Sequence, residues 1–185
     1  MNEPPTKHTA LNIGSGARTG SPTFLYADAK AWPVDVRAML PGLPFRDGAF
    51  EYVQCSHLIE HIDLEQVPAA LADLRRVMMP KGILYISAPD MERASAVESV
   101  QWTHYTVKGG VPDGWEHRWT SDVRTLRALL VGAGLVPTWT TKVPQGWSAN
   151  THGWPVDFEA RFLCRRDDWP WPVAFPQAFE AETIK

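Results

Sequence analysis

The stretch between the first glycine bend and the next acidic residue limits the fold of this chain more than any other feature. An apolar run, Leu11-Asn12-Ile13, leads into Gly14-Ser15-Gly16, and residues 17–27 then carry the chain to Asp28, with Gly20 and Pro22 on the way. Parallel strands need a crossover of about a dozen residues or more, usually filled by a helix. No full helix fits comfortably between Gly16 and Asp28, so the first crossover is expected to be shortened or to lack its helix. A glycine bend lets backbone approach a ligand, because no side chain obstructs it. Without a helix behind it, the bend loses the N–H groups and dipole that would hold a phosphate chain. Position 19 is threonine, so the third glycine of a dinucleotide fingerprint is missing too.

Short apolar runs bounded by Gly, Pro or Asp recur through the first half: Thr9 to Ile13, Thr23 to Ala27, Val34 to Ala38, Phe50 to Cys55 and Ile83 to Ala88. Such runs suit strands buried in a parallel sheet. Pro68 to Met79 carries Leu71, Leu74 and Met78 at helical spacing, with Pro68 in the first turn and Pro80-Lys81-Gly82 as a stop. Further on, Ser121 is expected to cap a helix with Asp122 in its first turn. Its buried stripe is Val123, Leu126, Leu129 and Leu130, and Gly132 and Gly134 end it. Leu135 to Val143 and Phe158 to Arg165 read as two closing strands. This alternation predicts an α/β doubly wound sheet in one domain spanning residues 1–185. The strand ends at Gly14 and Asp28 then open onto one crevice, where such a sheet binds its ligand.

Composition narrows the partners. The formal net charge is -3, and Arg75-Arg76 and Arg165-Arg166 are isolated pairs that read as solvated faces, so nucleic acid is not expected. No apolar run reaches membrane-spanning length, and the first residues lack the apolar core of a signal peptide. Cys55 and Cys164 are far apart and lack metal spacing, which predicts reduced thiols and a cytoplasmic location. All tryptophans except Trp32 lie beyond residue 100. That asymmetry divides the domain into a regular core at 9–90, an aromatic region at 100–160 that covers substrate, and a tail at 168–185.

A nucleoside cofactor without a phosphate chain suits the bend, and S-adenosylmethionine is one. Asp28, at the end of the second strand, is placed to accept hydrogen bonds from both ribose hydroxyls, or else to cap a turn. Five segments carry a family resemblance: Asn12-x-Gly14-x-Gly16, Asp28, Leu-Pro-Phe-x-Asp-Gly-x-Phe at 43–50, Ser-His-Leu-Ile-Glu-His at 56–61, and Leu-x-x-Leu-x-Arg-Val-x-x-Pro-x-Gly at 71–82. With His117-Arg118-Trp119 and Leu129 to Leu135, the set resembles the short class I S-adenosylmethionine-dependent methyltransferases of the methyltransferase-11 type, over roughly residues 10–136. The resemblance implies a Rossmann-like seven-stranded sheet with an antiparallel C-terminal hairpin. It places the cofactor across the carboxyl ends of the first four strands, against Asn12, Gly14, Ser15, Gly16, Asp28, Met39, Leu40, Ser56 and His57. Two positions depart from the pattern. Asn12 stands where many relatives have an acidic residue, and Met39 where an Asp receives the adenine amino group. The missing carboxylate would weaken cofactor binding by ~1–2 kcal/mol, the scale of one hydrogen bond.

Methyl transfer mainly requires a nucleophile held in line with the methyl group and away from water. A neutral histidine is a suitable base near pH 7 when the nucleophile is a hydroxyl. His57, His61 and His117 are the catalytic candidates, each with a structural alternative. Trp102 and Trp119 are candidate platforms for a flat-faced substrate, or large core side chains. Asp90, at the end of the fifth strand, would bind substrate or cap a turn. His57-x-x-Glu60-His61 also spells the inverted zinc-peptidase signature, with both histidines on one helix face, but the sequence marks no third ligand and no metal is expected. The chain is thus expected to methylate a small-molecule or glycan-type acceptor, at oxygen. A methyltransferase-like binding protein without catalysis is the rival reading, and a zinc hydrolase the third.

Overall fold

Strand alternation sorts the central sheet into an apolar face and a polar one. The computed structural model describes residues 9–90, 117–119, 121–139 and 159–168. Its strands are β1 (Ala10–Ile13), β2 (Phe24–Asp28), β3 (Val36–Arg37), β4 (Phe50–Ser56), β5 (Met78–Pro89), β6 (Leu135–Trp139) and β7 (Glu159–Arg166). They form one sheet in the order β3-β2-β1-β4-β5-β7-β6. The pairs among β1 to β5 are parallel, whereas β7 runs antiparallel to both β5 and β6. This is the expected Rossmann-like α/β sheet with its antiparallel C-terminal hairpin.

Leu11, Val53, Leu84 and Cys164 lie side by side across the sheet, as do Ile13, Cys55, Ile86 and Phe162 in the next row. With helices α1 (Val67–Val77) and α2 (Val123–Gly132) they form the main core. Side chains alternate across a strand, so the intervening residues Asn12, Gln54, Tyr85, Ser87 and Arg161 share the opposite face, and they too are buried. The strands are therefore not apolar throughout: β1, β4, β5 and β7 place buried polar residues on the second face. Both helices among the described residues pack on the apolar face. Cys55 and Cys164 are buried free thiols there, and burial pushes both up from the ordinary thiol range.

Residues 14–23 contain no helix, as their length and Gly20 and Pro22 require. The Asp35 carboxylate ties this loop down instead. Its Oδ1 accepts from Thr19 Oγ1 at 2.5 Å and Gly20 N–H at 3.2 Å, and its Oδ2 accepts from Tyr26 N–H at 3.0 Å. Residues 29–35 and 38–49 are also without helix.

Two local expectations are corrected. The N-cap of α2 is Asp122, whose side chain accepts from Thr125 N–H at 2.8 Å, while Ser121 Oγ donates to Pro89 O. Pro80-Lys81-Gly82 is not a turn but the early part of β5, which starts directly after α1. The register shifts between Phe50 and Tyr52 opposite this point. A β-carbon on Gly82 would lie 2.9 Å from Met79 O and 3.1 Å from Phe50 O, so only glycine passes there. No helix among the described residues is long and apolar enough to cross a membrane.

Candidate active site

The parallel order brings the carboxyl ends of β1, β2 and β4 to one edge of the sheet. At the end of β1, Gly14 and Gly16 take φ of +72° and +65°, in the left-handed region that glycine tolerates. Gly14 N–H and Ser15 N–H both donate to Ala27 O, at 2.8 and 3.3 Å, which folds the bend against β2. Asp28 completes the fastening. Its Oδ2 accepts from Gly16 N–H at 3.1 Å, and its Oδ1 accepts from Lys30 and Ala31 N–H at 2.8 Å each. The carboxylate thus both caps the turn after β2 and holds the glycine bend, and an oxygen that accepts once has a lone pair left for a ligand.

Gly14, Asp28, Met39, Leu40, His57 and His61 line one cavity at this edge, with Lys30, Asp63 and Arg118 also in its wall. Of the cofactor candidates, Asn12, Ser15, Gly16 and Ser56 are not in that lining. Asn12 sits mid-strand on the polar face beside Tyr26 and Gln54, Ser15 Oγ donates to its neighbour Gly16 O, and Ser56 Oγ accepts from Gln54 Nε2 at 3.3 Å. Met39 is 66% exposed, at the cavity rim, and Leu40 is buried beside it.

His57 is held in place by the sheet. It has φ of +50°, the one non-glycine residue with positive φ among those described, and its N–H donates to Ser87 O at 3.0 Å. Because β7 starts where β5 ends, Glu159 lies opposite Pro89 and Arg161 opposite Ser87. His57 Nε2 therefore meets Glu159 Oε1 at 3.1 Å, while its Nδ1 faces Glu60 Oε1 at 3.3 Å, and Arg161 Nε pairs with Glu159 Oε2 at 2.9 Å. Burial opposes a charge on His57, but the two carboxylates outweigh it and raise the ring to about 9. Burial likewise opposes ionisation of Glu60 and Glu159, yet His57, joined by Arg161 at Glu159, holds both carboxyls below their ordinary range. His57 is accordingly a cation at neutral pH, unsuited to act as a base.

The helix on which His57 and His61 would share a face does not form; residues Ile59–His61 make a single 3-10 turn. Residues 117–119 are stitched onto that turn. Arg118 N–H donates to Glu60 O at 2.8 Å, Trp119 Nε1–H donates to Ile59 O at 3.0 Å, and Arg118 pairs with Asp63 at 2.7 Å. His117 thereby meets His61 edge-on, with ring centroids 4.9 Å apart. Trp119 belongs to the hydrophobic core with its N–H satisfied, which is the core alternative weighed for it, and it does not line the cavity. Asp90 is buried beyond the end of β5, also outside the lining. Trp102 lies outside the described residues.

Sequence reasoning missed Glu159, Arg161 and Arg118. A Glu-x-Arg pair inside an otherwise apolar strand is the signal that marks the first two, since buried charges persist when paired. The residues present fit S-adenosylmethionine. The bend is open at Gly16, where a β-carbon would meet nothing within 4 Å, while at Gly14 it would come within 3.0 Å of Leu58 Cδ2, so only glycine fits where Leu58 crosses the bend. A carboxylate stands beside the bend, and apolar side chains follow at Met39 and Leu40.

A family model described as a methyltransferase domain matches residues 4–138. No curated protein matches the chain. Among solved structures, Burkholderia thailandensis 1,6-didemethyltoxoflavin-N1-methyltransferase, with bound 1,6-didemethyltoxoflavin and S-adenosylhomocysteine, is similar with a TM-score of 0.56 at 16% identity, covering 86% of this chain and 71% of that one. A SAM-dependent methyltransferase from Aquifex aeolicus matches with a TM-score of 0.53 at 15% identity, over 86% of this chain and 81% of that chain. One from Clostridium acetobutylicum reaches 0.56 at 8% identity, over 86% and 84%. Given the fold, the cavity and the extent of the family match, this chain belongs to the methyltransferase-domain family and is a class I methyltransferase that uses S-adenosylmethionine.

Proposed function

We propose that the enzyme methylates a hydroxyl of a small-molecule or glycan-type acceptor. The observation that carries this reading is the single cavity joining Gly14, Asp28, Met39 and Leu40 to His61. The first four residues would hold the adenosyl part of the cofactor. Asp28 Oδ2 would accept from the ribose, and Leu40 and the Met39 thioether would pack on the base. When bound, the cofactor supplies a methyl group on a positively charged sulfur. The rest falls to this chain: to hold the acceptor in line and keep water out.

His61 lines the same cavity, edge-on to His117, and in this reading it is the imidazole that takes the hydroxyl proton. His57, held by Glu159 and, through it, Arg161, lines the same cavity. A small acceptor is in keeping with the similar Burkholderia enzyme, solved with 1,6-didemethyltoxoflavin. The test is single-turnover transfer from methyl-labelled S-adenosylmethionine to a panel of hydroxylated, amine and carbon acceptors. His61→Ala is expected to slow transfer to a hydroxyl by about a hundredfold or more, with S-adenosylhomocysteine affinity unchanged. Transfer to amines alone, or full activity of His61→Ala, would contradict the proposal.

A further inference from the structure

One cluster in the cavity wall has chemistry that the reading above leaves unused. Glu60, His61 and His117 bring a carboxylate oxygen and two ring nitrogens within 4.8 Å of one another. Glu60 is 1% exposed. Its Oε1 is faced by His57 Nδ1 at 3.3 Å, and its Oε2 makes no hydrogen bond among the described residues. A buried carboxylate oxygen left without a donor is costly, and it calls for a cationic or donating ligand. The cluster is no chance approach of mobile side chains. The Arg118–Glu60 and Trp119–Ile59 hydrogen bonds fasten the two segments that supply it.

We infer that Glu60, His61 and His117 bind a divalent transition-metal ion of the Zn2+ or Co2+ class. Two imidazoles and a carboxylate suit such ions, whereas Mg2+ and Ca2+ take oxygen donors. Donors on one zinc ion stand at most about 4.2 Å apart, so the 4.8 Å spread closes with small side-chain rotations. The outer contacts are those a metal centre needs. His57 orients Glu60, and Glu159 and Arg161 hold His57 in turn. His57 is therefore an outer partner and not a ligand, which separates this site from the inverted peptidase signature. Three protein ligands leave a coordination position open, and because His61 also lines the cavity, the ion sits in the cavity wall. With the ion loaded, His61 is a ligand. It then no longer takes the proton: the ion's charge acidifies a hydroxyl bound at the open position, which loses its proton to solvent water.

The site stands on the donor geometry and not on the acceptor assignment, so the metal alone tests it. Chelator-treated protein is titrated with Co2+ and Zn2+, without S-adenosylmethionine, while heat and Co2+ absorption are followed. The expected result is a single ion per chain, displacement of Co2+ by Zn2+, and no heat with Mg2+. His117→Ala and His61→Ala should each weaken binding by more than about tenfold, the loss that follows from removing merely an outer partner. S-adenosylhomocysteine binding, measured on the same preparations, identifies which variants are folded, and a folded variant of either histidine decides the matter. The proposal is overturned if wild-type protein that binds S-adenosylhomocysteine takes up no ion, or if the folded variants bind Co2+ as tightly as wild type. Metal uptake without S-adenosylhomocysteine binding would leave this site standing and count against the cofactor pocket.

Discussion

Gly14 carries two constraints that coincide at the cofactor pocket. Its φ of +72° is one that a residue with a β-carbon adopts at a cost of about 1–2 kcal/mol, and that carbon would press on Leu58 at 3.0 Å. Gly14→Ala is thus expected to lower stability by that amount in a denaturant titration and to weaken S-adenosylhomocysteine binding as Leu58 shifts into the cavity wall. Unchanged affinity in the variant would mean that the bend does not touch the ligand. At this scale the Gly-x-Gly bend and Asp28 were legible because both are local: a turn needs glycine, and a strand-end carboxylate needs donors. The His57–Glu159–Arg161 chain was not, because β7 reaches His57 only through the antiparallel pairing Pro89↔Glu159. No spacing in the sequence encodes that proximity.

Residues 43–50 show how an element is held without regular structure of its own. Helix α1 supplies the anchor. The Asp73 carboxylate accepts from Gly42 and Leu43 N–H at 2.7 Å each, and Arg76 donates to Leu43 O at 3.0 Å, to Phe45 O at 2.6 Å and to Asp47. Phe45 then packs edge-on against Phe50, with centroids 5.0 Å apart. Arg76 therefore sets the path of the segment that follows Met39 and Leu40. Its removal should cost about 2 kcal/mol, mostly from the backbone carbonyls, since its contact to exposed Asp47 adds little. Chemical denaturation of Arg76→Ala checks this, and Arg76→Lys should rescue little, because an ammonium cannot span those carbonyls as the planar guanidinium does. A loss below about 0.5 kcal/mol, the range of ordinary surface changes, would contradict the bracing role. The sequence reading took Arg75 and Arg76 for solvated residues. Local pattern placed α1 and its buried stripe well, but the polar side of a helix looks the same whether it faces water or a loop.

At the scale of the whole molecule, a sheet whose apolar face packs under the two described α-helices, and whose other face is polar and buried, directs its function to one edge. The strands and the antiparallel hairpin were legible through short apolar runs, turn residues and family resemblance, and the missing first crossover helix followed from the short span with Gly20 and Pro22. The polar rows were not, because Asn12, Gln54 and Ser87 each look like a tolerated exception until the register aligns them. At the edge where β1, β2 and β4 end, backbone from one strand is tied to a carboxylate from the next, and the pocket depends on that tie. The most direct measurement is calorimetric titration of S-adenosylhomocysteine into wild-type protein and Asp28→Ala, with thermal melts to confirm that both are folded. Stoichiometric binding by the wild type, weakened about tenfold or more in Asp28→Ala by the loss of hydrogen bonds to a charged group, is the result expected. A folded wild type that binds no S-adenosylhomocysteine, or a variant that binds it equally well, would contradict the account.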